Sequence, residues 1–480
     1  MALVAGIDCS TQSTKALIVD LETGEQVAIG RATHEVFGTG GARESDPEGW
    51  WTALRDALGM TGRAGDIGAI SVAGQQHGMV VLDSGGRPLR PAKLWNDTES
   101  AAEAVELTEA FGGADWWANH IGLVPVASFT ATKWAWLRRN EPDVAAATAA
   151  IRLPHDFVTQ RLCGAGVSDR GDTSGTAWWS TETGEYVPEL LDHELLRLDR
   201  ALLPRVLGPT ESAGLVTPEA ASFLGIPEGI PVGPGTGDNA GAAVGLGLES
   251  GVPVISLGTS GTAFMVSESR IIDPTGTVAG FADATGRFLP LAATLNCTLA
   301  VDRIAGWLGL DRDDVASGTN VVVLPYLDGE RTPNLPNAAG SILGLRHGTD
   351  PREILLAAYN GAVQGLLDAL DVIDERSSGI AEDAPIVMVG GGAKGAAWRT
   401  TVQRMTGRAV QIPDATELVA LGAAAQAAAM VTGEPPDAVA RHWDTRRGTV
   451  LEPVPRDDAT RERLDTVRRL TADLNQERID

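Results

Sequence analysis

Cysteine is scarce in this chain of 480 residues, and the three present lie far apart. Cys9, Cys163 and Cys297 form no CxxC pair, which excludes a disulfide framework and a cysteine-ligated zinc site. Positive charge is also short: 38 Lys and Arg stand against 63 Asp and Glu, a net charge of −25. That balance excludes a nucleic-acid or anionic-membrane partner from the expectations. No apolar run reaches the length of a membrane span, and the first residues enter a strand pattern without a basic region or cleavage site. A cytoplasmic protein without a membrane partner is therefore expected. The GxxxxGK[ST] phosphate loop occurs nowhere, so the commonest nucleotide cradle is absent. Low-complexity tracts are absent too. The length implies at least two domains, each with ample core.

What the chain does have is a glycine-rich centre around one acid. In Val232-Gly233-Pro234-Gly235-Thr236-Gly237-Asp238-Asn239-Ala240-Gly241, the glycines allow unusual torsions or close approach to a ligand. The small residues that follow read as a helix packed tightly behind the acid. Asp238 then stands at the mouth of a strand–turn–helix unit, either as a general base meeting a substrate hydroxyl or as an ordinary helix cap.

Residues 3–7 read as a buried strand, followed by Asp8-Cys9-Ser10-Thr11-Gln12-Ser13-Thr14-Lys15 and a second strand over 16–19. Hydroxyls and backbone N–H groups, with an acid before and a lysine after, suit a phosphate and a hydrated metal, or simply make a polar hairpin. The scheme returns about 250 residues later in Val254-Ile255-Ser256-Leu257-Gly258-Thr259-Ser260-Gly261-Thr262-Ala263-Phe264. Two such turns opening two halves suggest duplicated domains that clamp one polyphosphate, with residues 245–251 as the hinge.

Three further segments bear on a site. A strand over 66–73 runs into Gly74-Gln75-Gln76-His77-Gly78, where the histidine either hydrogen-bonds a polyol or is structural. Residues 168–176 read as a polar turn and 151–162 as mixed helix. A strand over 385–389 enters Gly390-Gly391-Gly392-Ala393-Lys394-Gly395, with Asp414 at about the ~20-residue spacing of a dinucleotide fingerprint. The same strand–loop–helix suits an adenosine pocket. Residues 457–475 read as a terminal amphipathic helix.

In this order, the acid and hydroxyl hairpin, its echo, the Gly-Asp-Asn element and the late glycine loop resemble the FGGY carbohydrate kinases of the actin-like ATPase superfamily. Ser128-Phe129-Thr130-Ala131-Thr132-Lys133-Trp134-Ala135-Trp136-Leu137-Arg138-Arg139-Asn140 fits one signature of that family. The other runs from Ser341 to Asn360 and departs at its last position, where the family favours Glu, Asp or Gln. The resemblance implies an α/β protein of two ribonuclease-H-like domains with a central cleft. It divides into an N-terminal domain over 1–247, an ATP-binding domain over 248–432 and a helical tail over 433–480 docked on the latter.

By the same resemblance the activity is ATP-dependent phosphorylation of the primary hydroxyl of a ketopentose, D-xylulose foremost, with ribulose, another ketose or a polyol as alternatives. A dinucleotide-dependent oxidoreductase and a non-kinase actin-like ATPase are the readings further off. Asp238 matches the catalytic base and Asp8 the acid near magnesium. Thr11, Ser13, Thr14 and Lys15 fall in the first phosphate loop; Gly258, Thr259 and Ser260 in the second; Gly391, Gly392 and Lys394 in the adenosine loop. Gln76 and His77 take the place of a sugar-binding dipeptide that ketopentose kinases show as Met-His, and Asn239 is expected to share in holding the sugar. Glycerol kinases carry Arg-Glu there, which disfavours glycerol. ATP, Mg2+ and a sugar are the expected partners, with homodimerisation left open.

Overall fold

The computed structural model describes residues 2–472. Its first sheet is built from β1 (Leu3–Cys9), β2 (Ser13–Asp20), β3 (Gln26–Thr33), β4 (Ile67–Gly74), β5 (Gly214–Leu215), β6 (Pro231–Val232) and β7 (Thr236–Gly237). They run in the order β5-β6-β4-β1-β2-β3, with β7 also on β4. Every residue of β1 is buried, because it pairs with β2 on one side and β4 on the other and both sheet faces are covered.

A second sheet contains β8 (Pro253–Leu257), β9 (Gly261–Met265), β10 (Ala279–Ala282), β11 (Phe288–Thr294), β12 (Ile386–Val389), β13 (Val410–Pro413) and β14 (Gly448–Leu451), ordered β10-β11-β9-β8-β12-β13-β14. The two sheets share a plan. In the first, β1 and β2 form a hairpin, β3 extends it antiparallel and β4 lies parallel to β1. In the second, β8 and β9 form the hairpin, β11 extends it antiparallel and β12 lies parallel to β8. The repeated hydroxyl turns of the sequence are the turns of these two hairpins.

The helices needed below are α1 (Pro47–Thr61), α2 (Thr130–Asn140), α3 (Pro154–Cys163), α4 (Arg170–Ser174), α5 (Asp238–Gly245), α6 (Thr298–Leu308), α7 (Pro351–Arg376), α8 (Ala396–Thr406), α9 (Leu418–Thr432) and α10 (Asp458–Leu470). Helix α9 is apolar nearly all round, as a helix enclosed on all sides must be. It packs against α5, β1 and β4, so a late segment of the chain is built into the first half. One core cluster accordingly joins Val4 and Val19 to Val254, Val387 and Ala424. The single buried amide of α9, Gln426, is satisfied: it accepts from Ser71 Oγ at 3.0 Å and donates to the Gly235 carbonyl at 2.9 Å. No helix among the described residues is long and apolar enough to cross a membrane.

The sequence reading differs from the structure in three places. Residues 168–176 are not a turn but the end of a strand and helix α4, because the Asp169 carboxylate caps the backbone N–H groups of Gly171 and Asp172. Residues 151–162 begin in a short strand (Ala150–Arg152), and α3 starts only at Pro154, a residue suited to a first helical turn. The stretch after 433 is not helical throughout, since it supplies β14. Nor does it touch only the second half, since the Trp443 indole donates to the Leu21 carbonyl at 3.1 Å. Of the expected terminal helix, α10 lies over α7 and α8, while residues 473–475 fall outside the described residues.

Candidate active site

Parallel pairing of β7 with β4 aligns Thr236 with Ala73 and Gly237 with Gly74. The chain leaves both strands at their C-terminal ends, the place where open α/β sheets bind ligands. Gln76 and His77 therefore emerge beside Asp238. Asp238 is the first helical residue of α5 and Gly237 occupies the cap position, so the carboxylate is not a helix cap. Its Oδ1 accepts from the Asn239 backbone N–H at 2.8 Å and from Asn239 Nδ2 at 2.9 Å. Asn239 Nδ2 also donates to Gln76 Oε1 at 2.7 Å, which ties the two strand ends together.

These residues face a cavity of about 470 Å3 between the two sheets, with Trp95 beside them. From the second half, Gly258, Thr259, Ser260, Phe281 and Arg331 complete its wall. Burial, and next the charge of Asp8, push the Asp238 carboxyl up to about 7. His77 takes a left-handed backbone conformation (φ 64°), and its ring lies between Phe129 and Phe281 at 5.0 and 5.4 Å. Burial, then the positive charges of Lys133 and Arg331, push His77 down to about 3, so the imidazole is neutral at physiological pH. Its Nδ1 lies against Gly175, where a Cβ would come within 2.3 Å of it. The neutral ring stands in the cavity wall among aromatic carbons, a surface suited to a sugar.

The first hydroxyl turn is tied down by contacts within the protein. Asp8 is buried, accepts from Ser10 Oγ at 2.6 Å and pairs with Lys15 at 3.2 Å. Lys15 also reaches Glu417 at 2.8 Å, just before α9, so this ion pair joins the first turn to a late segment. Burial opposes that charge, but Asp8 and Glu417 hold the ammonium above its usual range. The hydroxyl of Thr14 points to the Cys9 sulfur at 3.7 Å, and Ser13 Oγ accepts from Arg31 at 3.2 Å. Only Thr11 approaches the cavity wall, where it accepts from the Trp95 indole at 3.0 Å.

In the second half, parallel pairing of β8 with β12 sets the Gly258 turn beside the Gly390 loop. The start of α6 closes the corner, since Thr298 Oγ1 donates to the Gly258 carbonyl at 2.7 Å. A side chain at Gly392 would meet Leu257 Cβ at 2.7 Å and Thr298 at 2.9 Å, so the loop is seated directly on that turn. Gly391 and Lys394 are exposed and, with Gly392, stand outside the wall of the main cavity. The structure thus gathers Gln76, His77, Asp238, Asn239, Gly258, Thr259 and Ser260 around one space, and leaves Asp8, Ser13, Thr14, Lys15, Gly391, Gly392 and Lys394 behind or beside it. Arg331 and Phe281 were not foreseen, because nothing in a sequence shows that a loop side chain will cross a cleft.

Also unforeseen is a fully buried cluster behind the site. His155 Nε2 lies 3.2 Å from Asp156, 3.3 Å from Asp169 and 3.5 Å from Asp172. Asp169 accepts from Thr236 Oγ1 at 2.9 Å, and Asp172 from the His77 N–H at 3.3 Å, so the cluster braces both strand ends. Burial alone would push the imidazole down, but the carboxylates, Asp156 foremost, hold it up at about 9. A histidine raised this way stabilises the fold fully below the usual pKa of about 6.5, and that stability is lost as pH rises through about 9. His155→Gln should therefore melt well below the parent at pH 6, by on the order of 3 kcal/mol. Thermal melts of both proteins should converge as pH passes 9; a gap that is constant with pH would show that the imidazolium is not the stabilising form.

Asp8 and Asp238 repel one another, and hard oxygen donors in small number are what magnesium takes from a protein, but Lys15 already pairs with Asp8. Another acidic group, Glu44, Asp97 and Glu99, has its cation already: Lys93 Nζ sits among them, 3.0 Å from Asp97.

Two sheets of one repeated plan, facing each other across a polar cavity, make the two-domain α/β fold of a carbohydrate kinase. The chain belongs to the FGGY family of carbohydrate kinases: the family's N-terminal domain matches residues 3–245 and its C-terminal domain residues 254–431. It is 57% identical over 464 residues to a xylulose kinase of Streptomyces rubiginosus, covering 96% of this chain and 95% of that protein. To a xylulose kinase of Escherichia coli it is 33% identical over 425 residues, 84% of each chain. The crystal structure of xylulose kinase from Bifidobacterium adolescentis superposes with a TM-score of 0.85 at 36% identity, covering 97% of this chain and 99% of that one. Kinases of this family use ATP, and the dinucleotide reading of the Gly390 loop falls away.

Proposed function

We propose that this chain phosphorylates the primary hydroxyl of D-xylulose with ATP, giving D-xylulose 5-phosphate. The observation that carries the reading is identity of 57%, over nearly the whole length of both chains, to a kinase named for that sugar. The cavity agrees with it: a carboxylate, an amide and a neutral imidazole converge on one wall, all groups that hydrogen-bond hydroxyls.

In this reading Asp238 accepts the proton of the attacking hydroxyl while Asn239 fixes its carboxylate. Gln76 and His77 take the remaining sugar oxygens. The second hydroxyl turn, Gly258 to Ser260, offers backbone N–H groups and hydroxyls to the phosphate chain, and Gly391, Gly392 and Lys394 hold the adenosine end. Magnesium beside Asp8 neutralises phosphoryl charge when bound. Phosphoryl transfer asks little covalent chemistry of the protein, so positioning and exclusion of water carry the rate. With its ring neutral, His77 holds the sugar without competing for the proton that Asp238 takes.

The test is ADP release by the purified enzyme over a panel of D-xylulose, D-ribulose, L-ribulose, glycerol and gluconate. D-Xylulose is expected to show the highest kcat/KM, by at least about tenfold. A higher value for any other sugar overturns the assignment of substrate and leaves the kinase class standing.

A further inference from the structure

We propose that Arg331 binds the sugar from the second half of the chain, and that its bond across the cleft couples sugar binding to nucleotide binding. The inference rests on the sugar-kinase reading above and adds to it a residue from the half that otherwise faces ATP.

The loop that carries Arg331 is anchored on every side. Glu330 is buried, and its carboxylate accepts from the backbone N–H groups of Leu295 at 2.5 Å, Asn296 at 3.2 Å and Arg331 itself at 2.8 Å. Asn296 Nδ2 donates to the Gly329 carbonyl at 2.7 Å, and Thr332 Oγ1 to the Ala293 carbonyl at 2.9 Å. Glu330 is thus turned back into its own domain, and Arg331 is presented forward into the cavity.

There the guanidinium is under-used. It makes one hydrogen bond among the described residues, to Ser128 Oγ at 3.2 Å, on the opposite side of the cleft. No carboxylate among the described residues lies within ion-pair distance of it. A guanidinium has five N–H donors, and Arg331, partly exposed at the cavity wall, spends one of them on a protein partner. Its neighbours His77 and Lys133 both feel its charge as repulsion. The remaining donors face the space an occupant of the cavity takes, where substrate oxygens replace solvent. Because Arg331 acts on His77 and bonds Ser128, it stands at the sugar end, and the acceptors are the carbonyl and hydroxyl oxygens of the ketose remote from the reacting carbon.

The position also has a consequence for coupling. Ser128 precedes α2 in the first half, whereas Arg331 belongs to the second. A sugar held from both sides favours the arrangement in which the halves are together, and that arrangement completes the nucleotide site. Linkage then requires each substrate to tighten the other by the same factor.

Arg331→Met and Arg331→Lys, checked for folding by thermal melt, test this. Calorimetry with a non-hydrolysable ATP analogue should give the Met variant an unchanged nucleotide affinity without sugar, within about twofold. Its sugar KM should rise at least about tenfold, the range for a lost charge-assisted hydrogen bond. The tightening of the analogue by added sugar, present in the parent, should vanish. The Lys variant, which keeps the charge but not the fork, should recover part of the sugar affinity. An unchanged sugar KM overturns the proposal. So does a fall in kcat alone, which would place Arg331 on the transferring phosphoryl group instead. If the Met variant does not fold, Ser128→Ala removes the other end of the bridge, and full sugar–nucleotide coupling in that variant counts against the latch. If the parent turns over a sugar other than D-xylulose, the substrate reading fails by itself. The same measurements with the sugar that is turned over still decide the role of Arg331.

Discussion

Asp238→Asn should leave a folded protein that binds nucleotide normally and phosphorylates sugar at least about a hundredfold more slowly. The substitution preserves shape, and the carbonyl of an asparagine still accepts from the Asn239 N–H groups that now bond Oδ1 at 2.8 and 2.9 Å. What is removed is the group that takes the proton of the attacking hydroxyl, a contribution of typically ~10²–10⁴-fold. The same change should not destabilise the fold. A carboxyl raised from 3.8 to about 7 disfavours the folded state progressively as pH rises across that interval, and by a constant amount above it. At pH 8 an amide relieves both that penalty and the repulsion with Asp8, so the variant should melt no lower than the parent. Activity falling while stability holds or rises is the signature of a group kept for chemistry. A variant with near-parental turnover would remove Asp238 from the mechanism.

Much of this site was legible in the sequence because its parts sit at strand ends, which glycine marks. The Gly237-Asp238-Asn239 element, the Gln76-His77 pair and the Gly258 turn each follow a run of strand-forming residues, and parallel pairing then had to bring them together. The duplicated hairpins were legible for the same reason, as two short patterns of like kind. Side chains that reach the cavity from elsewhere were not. Arg331 comes from a loop whose direction is set by Glu330 turning backward onto the backbone at 295 and 296, a tertiary fact without local sign. The His155 cluster was missed because its acids are spread over 17 residues and meet only when α3 and α4 are folded. The hydroxyls of Ser13 and Thr14 show what residue type alone leaves out: strand pairing sets one beside Arg31 and the other beside the Cys9 sulfur.

Gly422→Ala should be among the most damaging single-methyl additions in the chain. Helix α9 crosses α5 with backbone against backbone: a Cβ at Gly422 would lie 1.9 Å from the Gly241 carbonyl oxygen and 2.9 Å from the Gly245 N. The contact is reciprocal, for a Cβ at Gly245 would lie 2.0 Å from the Leu418 carbonyl oxygen. On its other side α9 presses on β1, where a Cβ at Gly6 would meet the Ala420 carbonyl at 1.8 Å. The helix therefore cannot retreat from α5 without striking the first sheet. Overpacking against flexible side chains costs about 1–3 kcal/mol, and here every opposing atom is main chain, so a loss at or above that range is expected. For a cooperative unit of about 250 residues, roughly 3 kcal/mol lowers the melting temperature by about 6 °C. Function should suffer beyond stability. Asp238 is the first residue of α5, and displacement of a catalytic group by about 1 Å can cost on the order of a hundredfold in rate. At a temperature where the variant remains folded, kcat should therefore still be depressed. Gly59→Ala provides the contrast. That glycine lies on the exposed side of α1 with no atom within 4 Å of a Cβ, and alanine there should stabilise by up to about 1 kcal/mol and leave kcat unchanged. Parental melting and turnover in Gly422→Ala would mean that α5 and α9 are free to move apart, and that the crossing does not hold Asp238 in place.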